Sequence, residues 1–364
     1  MSSKVAVVSL RCNPAFLQHL IAYAKLIREL GCEPVFLLDP DYRKFPELAA
    51  VADIWYRKQD HALGTLTHVI FLNASIGNRK LARSIKRVGA KIFYVYHEPW
   101  QMSREYIQSE GWRATFKAAV AYRATVPVLR LSDGVILESE CGLRAYRKGD
   151  VRFNDRCVYI PQIYDDEAPS NLLDMVKKKR FFGYVGNLCR AHGFDQFVNF
   201  IRWSFQRGAD MHFLIASRLA LPDEIFSDPV IRNNQHKLTV RCGRPLSNAE
   251  MNQCYADCFC IWNLYRRSTQ SGVLPKAFMF GTPVIASRIG SFPEYVREGR
   301  NGAFAGGENS EQIWKAAQDF QLRAGSYAEG CRSTFLKTFY YRPQLEAFGQ
   351  ILNGVPQDTL AQAS

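Results

Sequence analysis

The feature that most constrains this chain is an alternation that runs through it twice. Lys4 to Leu10 is a valine-rich apolar run, suited to a strand buried on both faces. Phe16, Leu20, Tyr23, Ala24 and Ile27 then recur at helical spacing until Gly31, a stop signal, and Pro34 to Leu38 is apolar again. Strand, helix, strand in so short a span is a βαβ unit, and such units build parallel sheets. The pattern continues with strands over 68–72, 91–96, 134–137 and 157–161 and a helix over 78–88. It lapses over 162–178, a polar stretch containing Asp165-Asp166-Glu167-Ala168-Pro169, which reads as a connection between domains. It then resumes: strands over 180–186, 211–216, 237–240 and 259–262, helices over 194–207 and 248–256. The expected fold class is α/β, with two Rossmann-like domains at 1–165 and 176–337 and a final helical segment at 338–356.

The second half centres on Gln270 to Ser287. Ser271-Gly272 opens a short helix, Gly281 stops it, and Thr282-Pro283-Val284-Ile285 enters a buried strand. A helix start with small residues offers unbonded backbone N–H groups and a positive dipole end, which suits a phosphate. The whole chain carries 47 Lys+Arg against 34 Asp+Glu, a net +13, so an anionic partner is expected. Apolar residues make up 47%, enough for two cores, which excludes global disorder. The ten cysteines show no paired metal-ligand spacing. Cys254, Cys258 and Cys260 read as reduced buried thiols, and the N-terminus enters a strand without a leader, so a cytoplasmic protein is expected.

In the first half, His97-Glu98 ends a strand, where ligands of parallel sheets bind, and either side chain could accept a proton. Arg79, Lys80, Arg83, Lys86 and Arg87 form one side of the 78–88 helix, with Leu81, Ile85 and Val88 on the other. A second basic and apolar stretch runs from Trp112 to Arg123. Both fit an anionic membrane surface as well as they fit a solvated face. No nucleic-acid-binding signature is present.

Motifs in order carry a resemblance. Leu131-Ser132-Asp133-Gly134-Val135-Ile136-Leu137-Glu138-Ser139, Val158-Tyr159-Ile160-Pro161, Gly183-Tyr184-Val185-Gly186-Asn187-Leu188, and Gly281-Thr282-Pro283-Val284-Ile285-Ala286-Ser287 with Pro293-Glu294 are similar to those of GT-B glycosyltransferases. The second half resembles the retaining family-4-type, or group 1, bacterial enzymes. The resemblance implies two domains facing a cleft, a last helix crossing back to the first domain, a nucleotide-sugar donor in the second domain and an acceptor in the first. It implies donor contacts from Gly186, Asn187, Arg190, His192, Gln270, Ser271, Gly272, Val273 and Lys276, and catalytic or sugar-positioning roles for His97, Glu98 and Glu294. The acceptor is expected to be a saccharide or lipid-linked saccharide of bacterial polysaccharide assembly at the inner membrane face. No cofactor and no essential metal are expected. Two departures stand out: Asn187 and His192 replace the family's phosphate-binding arginine and lysine, and Lys276 stands where a ribose-binding glutamate is usual. The alternatives are a nucleotide-sugar 2-epimerase of the same fold and a non-catalytic relative that holds a membrane assembly.

Overall fold

A computed structural model describes residues 3–56, 60–97, 99, 104–268 and 270–354. Glu98, one expected catalytic residue, and the tail from Gln357 lie outside the described residues. The chain divides into two compact units, one of residues 1–165 with 339–364, the other of residues 166–338.

The first unit holds a seven-stranded parallel sheet: β1 (Lys4–Ser9), β2 (Glu33–Leu38), β3 (Asp53–Tyr56), β4 (Leu66–Phe71), β5 (Lys91–Val95), β6 (Gly134–Leu137) and β7 (Cys157–Tyr159), in the order β3-β2-β1-β4-β5-β6-β7. The order reverses between β1 and β4, which makes their carboxyl ends the natural ligand crevice. Apolar layers cover both faces. One gathers Leu17, Tyr23, Ile27, Phe36 and Ile70; the other gathers Val8, Val69, Ile85, Val128 and Tyr146. The last helix, Leu345–Leu352, belongs here: Phe348, Ile351 and Leu352 enter the first layer, with Phe348 edge-on to Tyr23 at 5.7 Å.

The second unit holds six parallel strands: β8 (Phe181–Val185), β9 (His212–Ala216), β10 (Leu238–Arg241), β11 (Cys258–Asn263), β12 (Val284–Ala286) and β13 (Gly302–Phe304), in the order β10-β9-β8-β11-β12-β13. Relative to the first unit, only an edge strand is missing. Its core is aromatic, with Phe182, Phe197, Phe200, Phe213 and Trp262 meeting mostly edge to face. Gly183 lies in the middle of β8 because a Cβ there would sit 2.4 Å from Cys258 Sγ. Lys179, half-buried just before β8, donates to Phe280 O (2.8 Å) and Thr282 Oγ1 (2.6 Å), where helix Val273–Met279 ends. That negative helix end supports the ammonium, while burial pulls its pKa down to about 8.

The chain crosses between the units at Asp165–Asp166 and at Thr338–Phe339, and the first crossing is gripped by charge on each side. Asp165 pairs with Lys25 within the first unit. Arg332 holds Asp166 through two bonds (2.9 and 2.7 Å), and Glu167 takes bonds from Asn248 (2.6 Å), Asn252 (3.1 Å) and Lys276 in the second.

Candidate functional site

In the second unit two loops leave the sheet at its switch point, after β8 and after β11, and are hydrogen-bonded to each other. Arg266 N donates to Ala191 O (2.8 Å) and Arg266 Nη1 donates to Arg190 O (2.9 Å). Gly193 makes this closeness possible. Its φ is +68°, and a Cβ would fall 2.2 Å from Leu264 O, so no other residue fits. His192 stacks flat on Tyr265 (4.3 Å between ring centroids, 8° between planes), and burial lowers its pKa, keeping the ring neutral at neutral pH. Tyr265 is in turn edge-on to Phe292 at 5.4 Å, and burial raises its hydroxyl to about 12.

Gly186 has φ +135°, and a Cβ on it would meet Val273 at 3.9 Å. The end of β8 therefore lies against the first residue of helix Val273–Met279. Val273 N bonds Ser271 Oγ at 3.3 Å, and Gly272 is exposed just before it. Gln270 accepts a bond from Ser268 Oγ (2.5 Å), which tightens the approach to Ser271. The structure thus brings Gly186, Ser271, Gly272 and Val273 together with the 187–193 loop, where Asn187 and Arg190 are exposed. Among the described residues Arg190 has no partner for its guanidinium. It is the cation this site leaves available.

Two other cations are committed elsewhere. Arg266, which precedes the glycine loop, bonds Asp195 twice (2.5 and 2.9 Å). Burial alone would raise the Asp195 carboxyl, but those bonds and the guanidinium charge hold it below the usual range. Lys276, expected to meet phosphate, is buried, with its ammonium on Glu167 and on Asn252 Oδ1 (2.9 Å). Charge at that helix position serves the interdomain crossing. Glu294 lines a cavity with Arg297, Arg300 and Lys337. At the end of β11, Asn263 is fully buried with neither amide atom bonded among the described residues, a feature with no signal in the residue pattern.

In the first unit the switch-point crevice is closed by side-chain bonds. Asn73 Nδ2 donates to Ser9 Oγ (2.7 Å) and Arg11 O (2.9 Å). Tyr42 joins Ser9 at 2.9 Å and receives a bond from Asn13 N at 3.1 Å. His97 follows β5 with both ring nitrogens engaged: Nε2 donates to Leu72 O (2.6 Å) and Nδ1 meets the buried carboxylate of Glu138. Phe16 lies over the ring at 4.7 Å. With this geometry His97 holds the crevice wall; to accept a substrate proton it would first have to give up Glu138. The motif around β6 proves largely architectural. Asp133 takes bonds from Ile92 N (2.7 Å) and Lys86 (2.7 and 2.6 Å), and Ser139 caps helix Glu140–Gly149 through Gly142 N (2.9 Å).

The basic helix Asn78–Arg87 exposes Arg79, Lys80, Arg83 and Arg87. Lys86, expected among the lipid-facing cations, is instead held by Asp133. Nearby apolar side chains are strongly exposed: Ile76 at 81%, and Trp112 at 72% and Phe116 at 66% on helix Arg104–Leu131. Among the described residues no helix is long and apolar enough to cross a membrane.

With this geometry in hand, comparison with known proteins is informative. Residues 179–320 match the family described as glycosyl transferases group 1, which covers most of the second unit. No curated protein matches the chain. Among solved structures, HepE of Anabaena in complex with UDP superposes with a TM-score of 0.71 at 14% identity, covering 98% of this chain and 100% of its own. Sucrose-phosphate synthase of Thermosynechococcus elongatus gives 0.69 at 13% identity, with full coverage of both chains (100% and 100%). A glycosyltransferase of Rickettsia africae gives 0.68 at 12% identity, covering 98% and 100%. These likenesses show the fold over the whole chain as GT-B, and the resemblance to glycosyl transferases group 1 is confined to residues 179–320.

Proposed function

We propose that the protein transfers a sugar from a nucleoside diphosphate sugar to a saccharide acceptor. The observation that carries this reading is the second unit's switch point. There, glycine backbone at Gly186 and Gly272 meets the start of helix Val273–Met279, and the loop after Gly186 carries Arg190, which has no side-chain partner among the described residues. Backbone N–H groups plus one guanidinium are what a diphosphate needs, both to bind and to leave. HepE, of the same fold, has been solved with UDP-glucose and with UDP and glucose, which supports a nucleotide-sugar donor here.

In this reading Ser271, Gly272 and Val273 with Arg190 hold the diphosphate, and Gln270, Asn187 and His192 frame it. The neutral His192 offers a hydrogen-bonding ring rather than a charge. The acceptor lies over the first unit's crevice, against Phe16 and the His97 ring. Transfer retains configuration by a front-face route: the anomeric C–O bond to the diphosphate breaks, the acceptor oxygen bonds the same face, and its proton passes to the leaving phosphate. No essential metal is required, so turnover should persist in EDTA. The acceptor is a lipid-linked saccharide of polysaccharide assembly. The cytoplasmic protein then docks on anionic membrane through Arg79, Lys80, Arg83 and Arg87, with Trp112 and Phe116 entering the headgroup layer.

The test is a panel of nucleotides and nucleotide sugars, read by thermal shift and by turnover. A ligand at ~100 times its dissociation constant adds about 2.7 kcal/mol, enough to separate UDP from GDP. Interconversion of a nucleotide sugar with its 2-epimer, without transfer, would make the protein an isomerase. No turnover on any donor, with vesicle binding intact, would make it a binding protein.

A further inference from the structure

The cavity beside Glu294 in the second unit, of about 210 Å³, lies between the turn after helix Phe292–Tyr295 and the chain at 334–338. It is smaller than the ~300–1,000 Å³ of sites for drug-sized ligands. Arg297, Arg300 and Lys337 line it, with the Thr334 and Thr338 side chains and a single acid, Glu294. The other acid of the turn, Glu298, is turned away and paired with Arg288 at 2.7 Å. The cavity is therefore strongly cationic at the scale of one small anion.

Its walls are cross-linked. Asn301 is fully buried; its Oδ1 accepts from Arg297 N (2.7 Å), and its Nδ2 donates to Tyr295 O (3.0 Å) and across to Thr334 Oγ1 (2.9 Å). Gly330 lets the walls touch, because a Cβ there would lie 2.0 Å from Arg300 O. Cys331 Sγ adds a bond to Asn301 O. Arg297 is folded back onto Pro293 O (2.9 Å) and Val296 O (3.1 Å), and Arg300 reaches Ser333 Oγ (3.4 Å). Lys337 has no partner among the described residues, and it sits on a π-helical turn, Phe335–Phe339, a local irregularity frequent at functional sites. Mutually repelling cations held on rigid, cross-linked walls store a preference for an anion between them.

We infer that this cavity is a second anion site, distinct from the donor loops, that takes the phosphate group of a small molecule. Arg300 and Lys337 supply the charge, Arg297 the near wall and Thr338 a hydroxyl. Glu294 limits the site to one oxyanion and disfavours a diffuse polyanion.

The probe is inorganic phosphate, titrated calorimetrically into the full chain and compared with chloride at matched ionic strength. One saturable phosphate site is expected. Lys337→Gln should weaken it about tenfold, the loss of one charge-assisted hydrogen bond, and Arg300→Gln with Lys337→Gln should abolish it. Both side chains are exposed, so chloride-only melting curves should stay unchanged. Arg190→Gln, at the donor loops, should leave the phosphate titration as it was. No saturable binding would overturn the inference. So would loss of binding in Arg190→Gln with the double variant intact, since phosphate would then be occupying the donor loops.

Discussion

The two units share one strand order and treat its switch point in opposite ways. In the first, Ser9, Tyr42, Asn73, His97 and Glu138 fill the crevice with a side-chain network. In the second, the same place is lined with backbone, at Gly186, Gly193 and Gly272, and the buried side-chain amide of Asn263 there has no partner among the described residues. A network of side chains fixes a wall against which a varied acceptor can lie. Bare backbone lets a diphosphate come close enough to be held by N–H groups. The fold provides both places; the side chains decide which ligand each one suits.

The largest effect should come from Gly193→Ala. A Cβ 2.2 Å from Leu264 O at a φ of +68° forces the two loops of the second unit apart, at a cost of ~3 kcal/mol or more in urea unfolding. Equal stability would mean the loops are not as close as described. In the first unit, His97→Ala removes the ring that meets the buried Glu138 carboxylate and should cost ~3 kcal/mol. Glu138→Gln, which keeps a hydrogen bond to the ring, should cost under about 1.5 kcal/mol.

A matched pair of substitutions sharpens the contrast. Asn73→Leu breaks bonds to Ser9 and Arg11 and leaves that oxygen and carbonyl without their donor, at ~1–3 kcal/mol. Asn263→Leu removes a side-chain amide with no partner among the described residues and should be neutral or stabilising. Equal costs at the two positions would erase the distinction between a bonded and an unbonded crevice.

Lys179 gives a pH signature. Its folded pKa, about 8, lies below the ordinary ~10.4, so between those values the unfolded chain binds more protons. Stability from this group therefore rises as pH goes from about 8 to about 10.4 and is level below 8. Lys179→Met should lose that rise relative to the parent, in parallel melts across this range. The smallest effect is at Arg190. Arg190→Gln should leave stability unchanged and weaken nucleotide binding about tenfold, ~1.4 kcal/mol.

Much of this was legible in the sequence. Alternating valine-rich runs and helical stripes marked the strands that are buried on both faces, because burial there demands unbroken apolar residues. Less visible were β3 and β13. Asp53–Tyr56 is a short edge strand, and Gly302–Phe304 has a glycine where a Cβ would lie 2.6 Å from Val284 O. The glycine loops announced themselves, since glycine spacing reflects backbone need. Charges did not. Arg190, Lys276 and Lys86 read alike as candidate anion-binding cations. Among the described residues only the first is unpaired, because Glu167 and Asp133, distant in sequence, claim the others. Likewise Asp133 and Ser139, read as parts of a family motif, turned out to fasten β5 and cap a helix.

The central claim is that the backbone-lined crevice of the second unit holds the donor diphosphate. Its most direct test is the nucleotide-induced thermal shift of the parent protein beside Gly272→Asp. Gly272 is exposed and its φ of −70° suits any residue, so the substitution should leave the ligand-free melt unchanged. The predicted result is a clear shift with the preferred nucleotide in the parent and none in Gly272→Asp, where a carboxylate meets the phosphate. A shift of equal size in both proteins would contradict the account and place the nucleotide elsewhere.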